Sequence, residues 1–321
     1  MPNAVQVRSS GGPEVLELTD VEAAKPGPNE LSVRVAAAGV NFIDTYQRGG
    51  VYSMNLPFVP GLEGAGTVTE VGSEVTGVSP GDRVSWSQSL GSYAQRAIIP
   101  ATDAVPVPDG VSDEVAAAAP LQGMTAHYLV TSTYPVRSGD TVLVHAAAGG
   151  VGQLLIQLAK ARGARVFGTV SSPEKERRAR QAGADDVFGY DDFAERARLL
   201  TDGEGVAAVY DGVGKTTFDD SLASVRRRGT LALFGGASGQ VPAFDPQRLN
   251  SAGSVFLTRP KLADHTATRA ELEWRMGELF DAVRSGALDV RIGGRYPLAQ
   301  VRQAHEDLEG RRTTGKLLLL P

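Results

Sequence analysis

No cysteine occurs among the 321 residues, which removes disulfides, thiolate zinc sites and cysteine nucleophiles together. Histidine is scarce as well: His127, His145, His265 and His305 are the whole set, and no two of them stand at metal-ligand spacing. No apolar run approaches a membrane span, and the opening "MPNAVQVRSSGG" lacks the apolar core of a signal peptide, so no membrane association and a cytoplasmic location are expected. A basic surplus is missing too. Net charge is −5 and the pI about 5.5, which argues against nucleic acid as the main ligand. The blocks "KERRAR" (175–180) and "VRRRG" (225–229) are local, and a solvated helix face or turn accounts for them.

What is present divides into two textures. Residues 1–122 are rich in Val, Gly and Pro, with short runs such as "ELSVRVAAAGV" and "GAGTVTEVG" separated by turn signals such as "GPNE" and "SPGD". That pattern predicts short, mostly antiparallel strands in a β-rich unit. From about residue 136, strands such as "DTVLVHAA", "ARVFGTV" and "VAAVYDGVG" alternate with helical stretches, as a parallel sheet with long crossovers requires. "VGQLLIQLAKARG" reads as a helix ending at Gly163, and "SPEKERRARQAGA" as one capped by Ser172 with Pro173 in its first turn. Two further helices are expected in "RAELEWRMGELFDAVRSGAL" and "LAQVRQAHEDLEG". The closing apolar strand "GKLLLLP" is expected to rejoin the N-terminal unit.

The stretch "HAAAGGVGQ" (145–153) follows a strand, opens a helix and sits in a strand–helix–strand unit of about thirty residues, the context in which a glycine trio means dinucleotide binding. Ala147 takes the first glycine position, which it can do if no positive φ is needed there. Gly149 lets the backbone approach a pyrophosphate, Gly152 lets helix and strand pack closely, and the helix N-terminus offers N–H groups to phosphate. Where an NAD site carries an acid at the end of the second strand, this chain reads "GTVSSPEK". Ser171, Ser172 and Lys175 would bind a 2′-phosphate that a carboxylate would repel. Glu174 is the contrary signal, explained as the partner of Ser171 in a capping box. NADPH is therefore favoured over NADH.

"GLEGAGTVTEVG" (61–72), with the nucleotide motif and the split N-terminal unit, resembles the medium-chain dehydrogenase/reductase superfamily, and "GVNFIDTYQRGGVY", "GLEGAGTV", "HAAAGGVGQ", "GTVSSPEK", "VYDGVG", "FGGASG" and "TTGKLLLLP" follow one another as in one group of it. Among its members the chain most resembles the zinc-free, zeta-crystallin-like quinone oxidoreductases. Zinc alcohol dehydrogenases of that superfamily carry G-H-E where this chain has Gly61-Leu62-Glu63, and leucine cannot bind a metal. Glu63 is then expected to be a structural carboxylate bonded to turn amides. The resemblance implies an α/β fold: a doubly wound Rossmann sheet over 123–262 and a discontinuous, β-rich, GroES-like catalytic domain over 1–122 and 263–321. It also implies a homodimer, for which the apolar "SVFLT", expected at a sheet edge, would serve.

The resemblance further implies a set of site residues. Ala148, Gly149, Gly150, Val151 and Gly152 would carry the pyrophosphate. Ser171, Lys175, Tyr190 and Arg311 would surround the 2′-phosphate, Arg311 being one of two adjacent arginines. Asn41, Thr125 and the turn at Phe234 and Gly235 would border the nicotinamide. Tyr46 and Tyr52 could donate to a carbonyl oxygen or stack on a ring, and Asp44 would be a structural carboxylate.

The implied reaction, quinone reduction by NADPH, needs no metal. Hydride addition to an aldehyde leaves an alkoxide, which demands a strong acid or Lewis acid. Addition to a quinone leaves a delocalised anion with a pKa of roughly 10 by analogy with tyrosine. An enone or enal double-bond reductase is the enzymatic alternative, because an enolate also delocalises charge. A cofactor-binding protein with an RNA-binding or structural role is the alternative of another class.

Overall fold

The computed structural model describes residues 1–22 and 24–321. The chain forms two compact units, Met1–Leu121 with Thr266–Pro321, and Gln122–His265.

The first unit is organised on the long strand Glu30–Val40. It pairs antiparallel with Glu63–Val71, with Arg96–Pro100 and, at its C-terminal end, with Lys316–Leu320, so the closing apolar run does rejoin the N-terminal β-structure. The registers Gly39↔Glu63 and Leu317↔Val40 bring residues far apart in sequence to the two sides of one strand end. Leu31, Val33, Val68, Trp86, Tyr93, Ile99, Leu317 and Leu319 pack in its core, and each such burial contributes about 1.5–3 kcal/mol before chain entropy is subtracted.

Two helices of this unit stand in the segments where the sequence places them. Arg269–Arg284 begins at Thr268, whose hydroxyl accepts from the Glu271 N–H, and Val301–Glu309 follows a short 3₁₀ turn. A third helix, Phe42–Arg48, has no counterpart in the sequence pattern. Seven residues are too few to display a 3.6-residue period, and the helix is held by tertiary contacts instead.

The second unit is a six-stranded, wholly parallel sheet. Its spatial order is Asp186–Phe188, Arg165–Thr169, Thr141–Val144, Val206–Asp211, Val225–Leu233, Phe256–Thr258. Chain order reverses between Thr141–Val144 and Val206–Asp211, and the crevice beyond the carboxyl ends of strands at such a reversal is where this architecture binds nucleotides. Val142, Leu143, Val144, Val166, Phe167, Val209 and Leu231 are buried, because crossover helices cover both faces of a parallel sheet. The crossovers Phe193–Leu199 and Phe218–Ser224 are helices too short to have been picked out from the sequence. Among the described residues, no helix is long and apolar enough to cross a membrane.

Candidate functional site

In the parallel unit, the strand Thr141–Val144 delivers His145 and then the turn. The left-handed residue is Ala146 (φ 50°) rather than Ala147, so alanine at the first glycine position costs no backbone strain there. Gly149 caps the helix Gly150–Ala161 in extended conformation (φ −73°, ψ 171°) without a side-chain hydrogen bond to the first turn. The polar end of a twelve-residue helix thus has no built-in anion, the arrangement suited to a pyrophosphate. A Cβ at Gly152 would collide with Ala146 O and lie 2.9 Å from Ala147 Cα, so only glycine permits this approach of helix to strand. Gln153 secures the turn by donating to Ala148 O at 2.8 Å.

Around this turn the structure brings together several residues singled out in the sequence. Tyr190 Oη accepts from the Ala146 N–H at 3.2 Å. Lys175 Nζ donates to Ser171 Oγ at 3.2 Å. The helix Pro173–Gln181 is capped by Ser172, whose hydroxyl accepts from the Lys175 N–H at 3.3 Å. That corrects the proposed Ser171–Glu174 capping box: Glu174 is the second residue of the helix, one position short of where a box partner must stand. Phe234 and Gly235 follow the strand Val225–Leu233, and their N–H groups donate to Asp211 O. Thr125 is buried on the helix Pro120–Tyr128. Arg311 lies in the other unit, with φ 54°, beside Arg312, which pairs with Asp307 at 3.3 Å.

Beneath the strand ends is a buried polar chain. His145 Nδ1 meets Thr169 Oγ1 at 2.7 Å and Nε2 meets Ser221 Oγ at 2.8 Å. Ser221 and Thr217 both donate to Asp211 Oδ2, while Oδ1 accepts from the Val213 and Gly214 N–H groups. His145 is therefore structural, and burial lowers its pKa.

In the β-rich unit, Asn41 stands between the strand Glu30–Val40 and the helix Phe42–Arg48. Its N–H donates to Asp44 Oδ2 at 2.8 Å, and its side-chain amide donates to Glu63 Oε2 at 2.9 Å and accepts from Lys316 Nζ at 2.7 Å. Lys316 and Glu63 form an ion pair with essentially no exposure. Glu63 is thus not a turn carboxylate: its charge is answered by a lysine, and the Leu121 N–H, in the first turn of the helix Pro120–Tyr128, donates to its other oxygen at 2.7 Å. Lys316 escaped the sequence reading because a lysine opening an apolar terminal strand looks like a solvated end. Only its partner's burial reveals its role.

Asp44 receives a second hydrogen bond, from Tyr93 Oη at 2.8 Å, and its other oxygen is buried without a partner. Desolvation pushes its pKa up to about 7, against the opposing pull of the Tyr93 and Asn41 hydrogen bonds and of Lys316. Tyr93 Oη also meets His305 Nε2 at 3.2 Å, and Arg48 Nη1 lies 3.0 Å from His305 Nδ1. Because arginine only donates, Nδ1 must accept, which leaves the proton on Nε2. Burial and the adjacent guanidinium lower the His305 pKa to about 3. Arg48 closes the chain on Glu309 at 2.8 Å. Tyr46 and Tyr52 meet edge to face, with centroids 5.9 Å apart, and Tyr52 is exposed. Among the described residues, no group of three or more His, Cys, Asp or Glu side chains could hold a metal ion.

Comparison with known proteins agrees with both halves of this picture. Residues 27–109 match the alcohol dehydrogenase GroES-like domain, and residues 150–267 match the family described as zinc-binding dehydrogenase. The quinone oxidoreductase of Pseudomonas aeruginosa is 46% identical over 100% of both chains. A mycobacterial protein whose structure was solved with NADPH is 55% identical, with a TM-score of 0.97 over 99% of this chain and 100% of that one. The Escherichia coli quinone oxidoreductase, also solved with NADPH, is 42% identical with a TM-score of 0.97 over 99% and 100%. The chain belongs to the quinone oxidoreductases of the medium-chain dehydrogenase/reductase superfamily.

Proposed function

We propose that the protein is an NADPH-dependent quinone oxidoreductase that works without a metal. The observation that carries the cofactor choice is Lys175 folded onto Ser171 at the end of the second parallel strand, where an acid would select NADH. In this reading Ala148, Gly149, Gly150, Val151 and Gly152 present the helix N-terminus to the pyrophosphate. Ser171, Lys175 and Tyr190 hold the 2′-phosphate end, with Arg311 contributing a further cation. Thr125, Phe234 and Gly235 border the nicotinamide, as does Asn41.

NADPH, when bound, supplies the hydride. Tyr46 and Tyr52 offer an aromatic edge and hydroxyl donors to a flat acceptor. The oxyanion left on a reduced quinone is weakly basic, with a pKa of roughly 10, so a tyrosine hydroxyl or water suffices to protonate it. Where the zinc dehydrogenases carry a histidine ligand, Leu62 offers no donor, and Glu63 is already neutralised by Lys316.

The protein acts as a homodimer in this reading. Phe256–Thr258 is the last strand of the parallel sheet, and Phe256 is 65% exposed on it. An apolar edge of this kind is stable in water when paired with another chain. Location in the cytoplasm belongs to the same proposal.

The test is anaerobic consumption of reduced nicotinamide with an ortho-quinone, with chelator present, comparing NADPH and NADH. Turnover with NADPH alone supports the metal-free quinone reductase and the 2′-phosphate site at Ser171 and Lys175. Equal turnover with NADH removes the role of Ser171 and Lys175. Turnover only with an enone or enal makes the protein a double-bond reductase, and none with any acceptor favours a binding role.

A further inference from the structure

We infer that the buried Lys316–Glu63 pair is a positioning device: it holds the Asn41 amide in one orientation and affects hydride transfer only through that amide. The inference rests on the proposal that Asn41 borders the nicotinamide. Its basis is a closed ring of three contacts. Lys316 donates to Asn41 Oδ1, Asn41 Nδ2 donates to Glu63 Oε2, and Lys316 pairs with that same oxygen. A flipped amide would set N–H donors against an ammonium and a carbonyl against a carboxylate, at a depth where solvent screening relieves neither clash.

Strand register builds this ring. The strands Glu63–Val71 and Lys316–Leu320 flank the end of Glu30–Val40 on opposite sides, and each contributes its first residue. Gly39 makes the room: a Cβ there would strike Glu63, lie 2.6 Å from Lys316 Cε and 2.9 Å from Ala117 O. What remains of the amide for a ligand is one lone pair of Oδ1 and the N–H held only loosely by Gly39 O at 3.4 Å. The pair itself has no exposed surface with which to touch a ligand.

The experiment is a double-mutant cycle. Lys316→Met alone would leave a buried carboxylate uncompensated, so the pair is removed together as Glu63→Gln with Lys316→Met. The amide that replaces the carboxylate keeps an acceptor for the Leu121 N–H but turns a donor toward Asn41. With Asn41 present, the double variant is expected to lose about tenfold or more in kcat with NADPH and an ortho-quinone, with little change in the KM for NADPH. In an Asn41→Ala background the same two changes should cost less than about twofold.

Orientation is read separately. The chain has five asparagines, so side-chain amide-labelled asparagine gives a short spectrum in which Asn41→Ala identifies one pair of signals. In the wild type these protons should exchange slowly, and in the double variant quickly, at new shifts. Equal losses of kcat in both backgrounds, or unchanged Asn41 signals in the double variant, would overturn the inference. A wild type that oxidises no NADPH with any quinone would instead overturn the reading under which Asn41 meets a nicotinamide, while the labelled amide still reports whether the pair holds it.

Discussion

Asp44 and His305 should conceal each other's effect on stability, and removing either should expose the other. Both sit in the chain Asp44–Tyr93–His305–Arg48. Asp44 ionises near 3.8 when unfolded and about 7 when folded. The folded state therefore binds its proton more tightly, and the stability it contributes is complete below pH 3.8 and lost as pH rises toward 7. His305 does the reverse. Its pKa falls from 6.5 to about 3 on folding, so its contribution is complete above pH 6.5 and lost as pH falls toward 3. Each pH unit within a window changes stability by up to about 1.4 kcal/mol. Across the shared span from about pH 4 to 6.5 each group accounts for about 3 kcal/mol, with opposite sign, and the two nearly cancel.

Relative to the wild type, Asp44→Asn should add a slope rising by about 3 kcal/mol from about pH 4 to 6.5. His305→Gln, which keeps an acceptor for Arg48 and a donor for Tyr93, should give one falling by about as much. The amide introduced by Asp44→Asn also carries a constant cost of about 1–3 kcal/mol, because its NH₂ occupies the position of the unpartnered oxygen. The slope, not the absolute value, is therefore the signal. Denaturant unfolding followed by tryptophan fluorescence is the assay, since Trp86 and Trp274 both lie in the β-rich unit. Differences from the wild-type profile that have the same sign in the two variants, or that are absent from both, would refute the reasoning.

Lys175→Ala should raise the KM for NADPH by about tenfold or more, by loss of a charge-assisted contact, and leave the KM for NADH nearly unchanged, as steady-state kinetics would show. Gly152→Val should abolish NADPH binding measured by nucleotide fluorescence, because its side chain must displace the Ala146–Ala147 turn. Lys316→Met should destabilise the β-rich unit by about 3–5 kcal/mol through the abandoned Glu63 carboxylate, far more than Glu63→Gln with Lys316→Met, as denaturant midpoints would reveal. Phe256→Lys should yield a monomer in light scattering, with unfolding of the monomeric chain still cooperative.

Much of the parallel unit was legible because its signals are local. Strand, glycine turn and helix lie within "DTVLVHAAAGGVGQLLIQLAKARG", and Ser172-Pro173 announces the next helix within two residues. Where the reading slipped, as with Ser171 and Glu174, the error was one residue of phase at a helix start. The helix Phe42–Arg48 carries no such local signal: its start depends on Asp44 and its flank on Arg48, and Arg48 is held by residues 257 and 261 positions away. The polar cluster around Asn41 is of the same kind. Asn41 and Glu63 are marked only through the resemblance and Lys316 not at all, and nothing in residue type or spacing joins the three.

The amino-acid sequence by itself determined the alternation of strands and helices, the nucleotide turn, the replacement of the 2′-hydroxyl acid by serine and lysine, and the loss of zinc donors. The first three depend on neighbours within one or two turns of chain, where sterics and hydrogen-bond geometry act directly, and the last is legible through the resemblance. Only the tertiary structure decided which buried charges face each other, because strand register across hundreds of residues sets Glu63 and Lys316 on either side of Asn41. Burial then converts ordinary side chains into an ion pair, a neutral histidine and a carboxyl that holds its proton near neutrality, since removing water raises the cost of every unanswered charge.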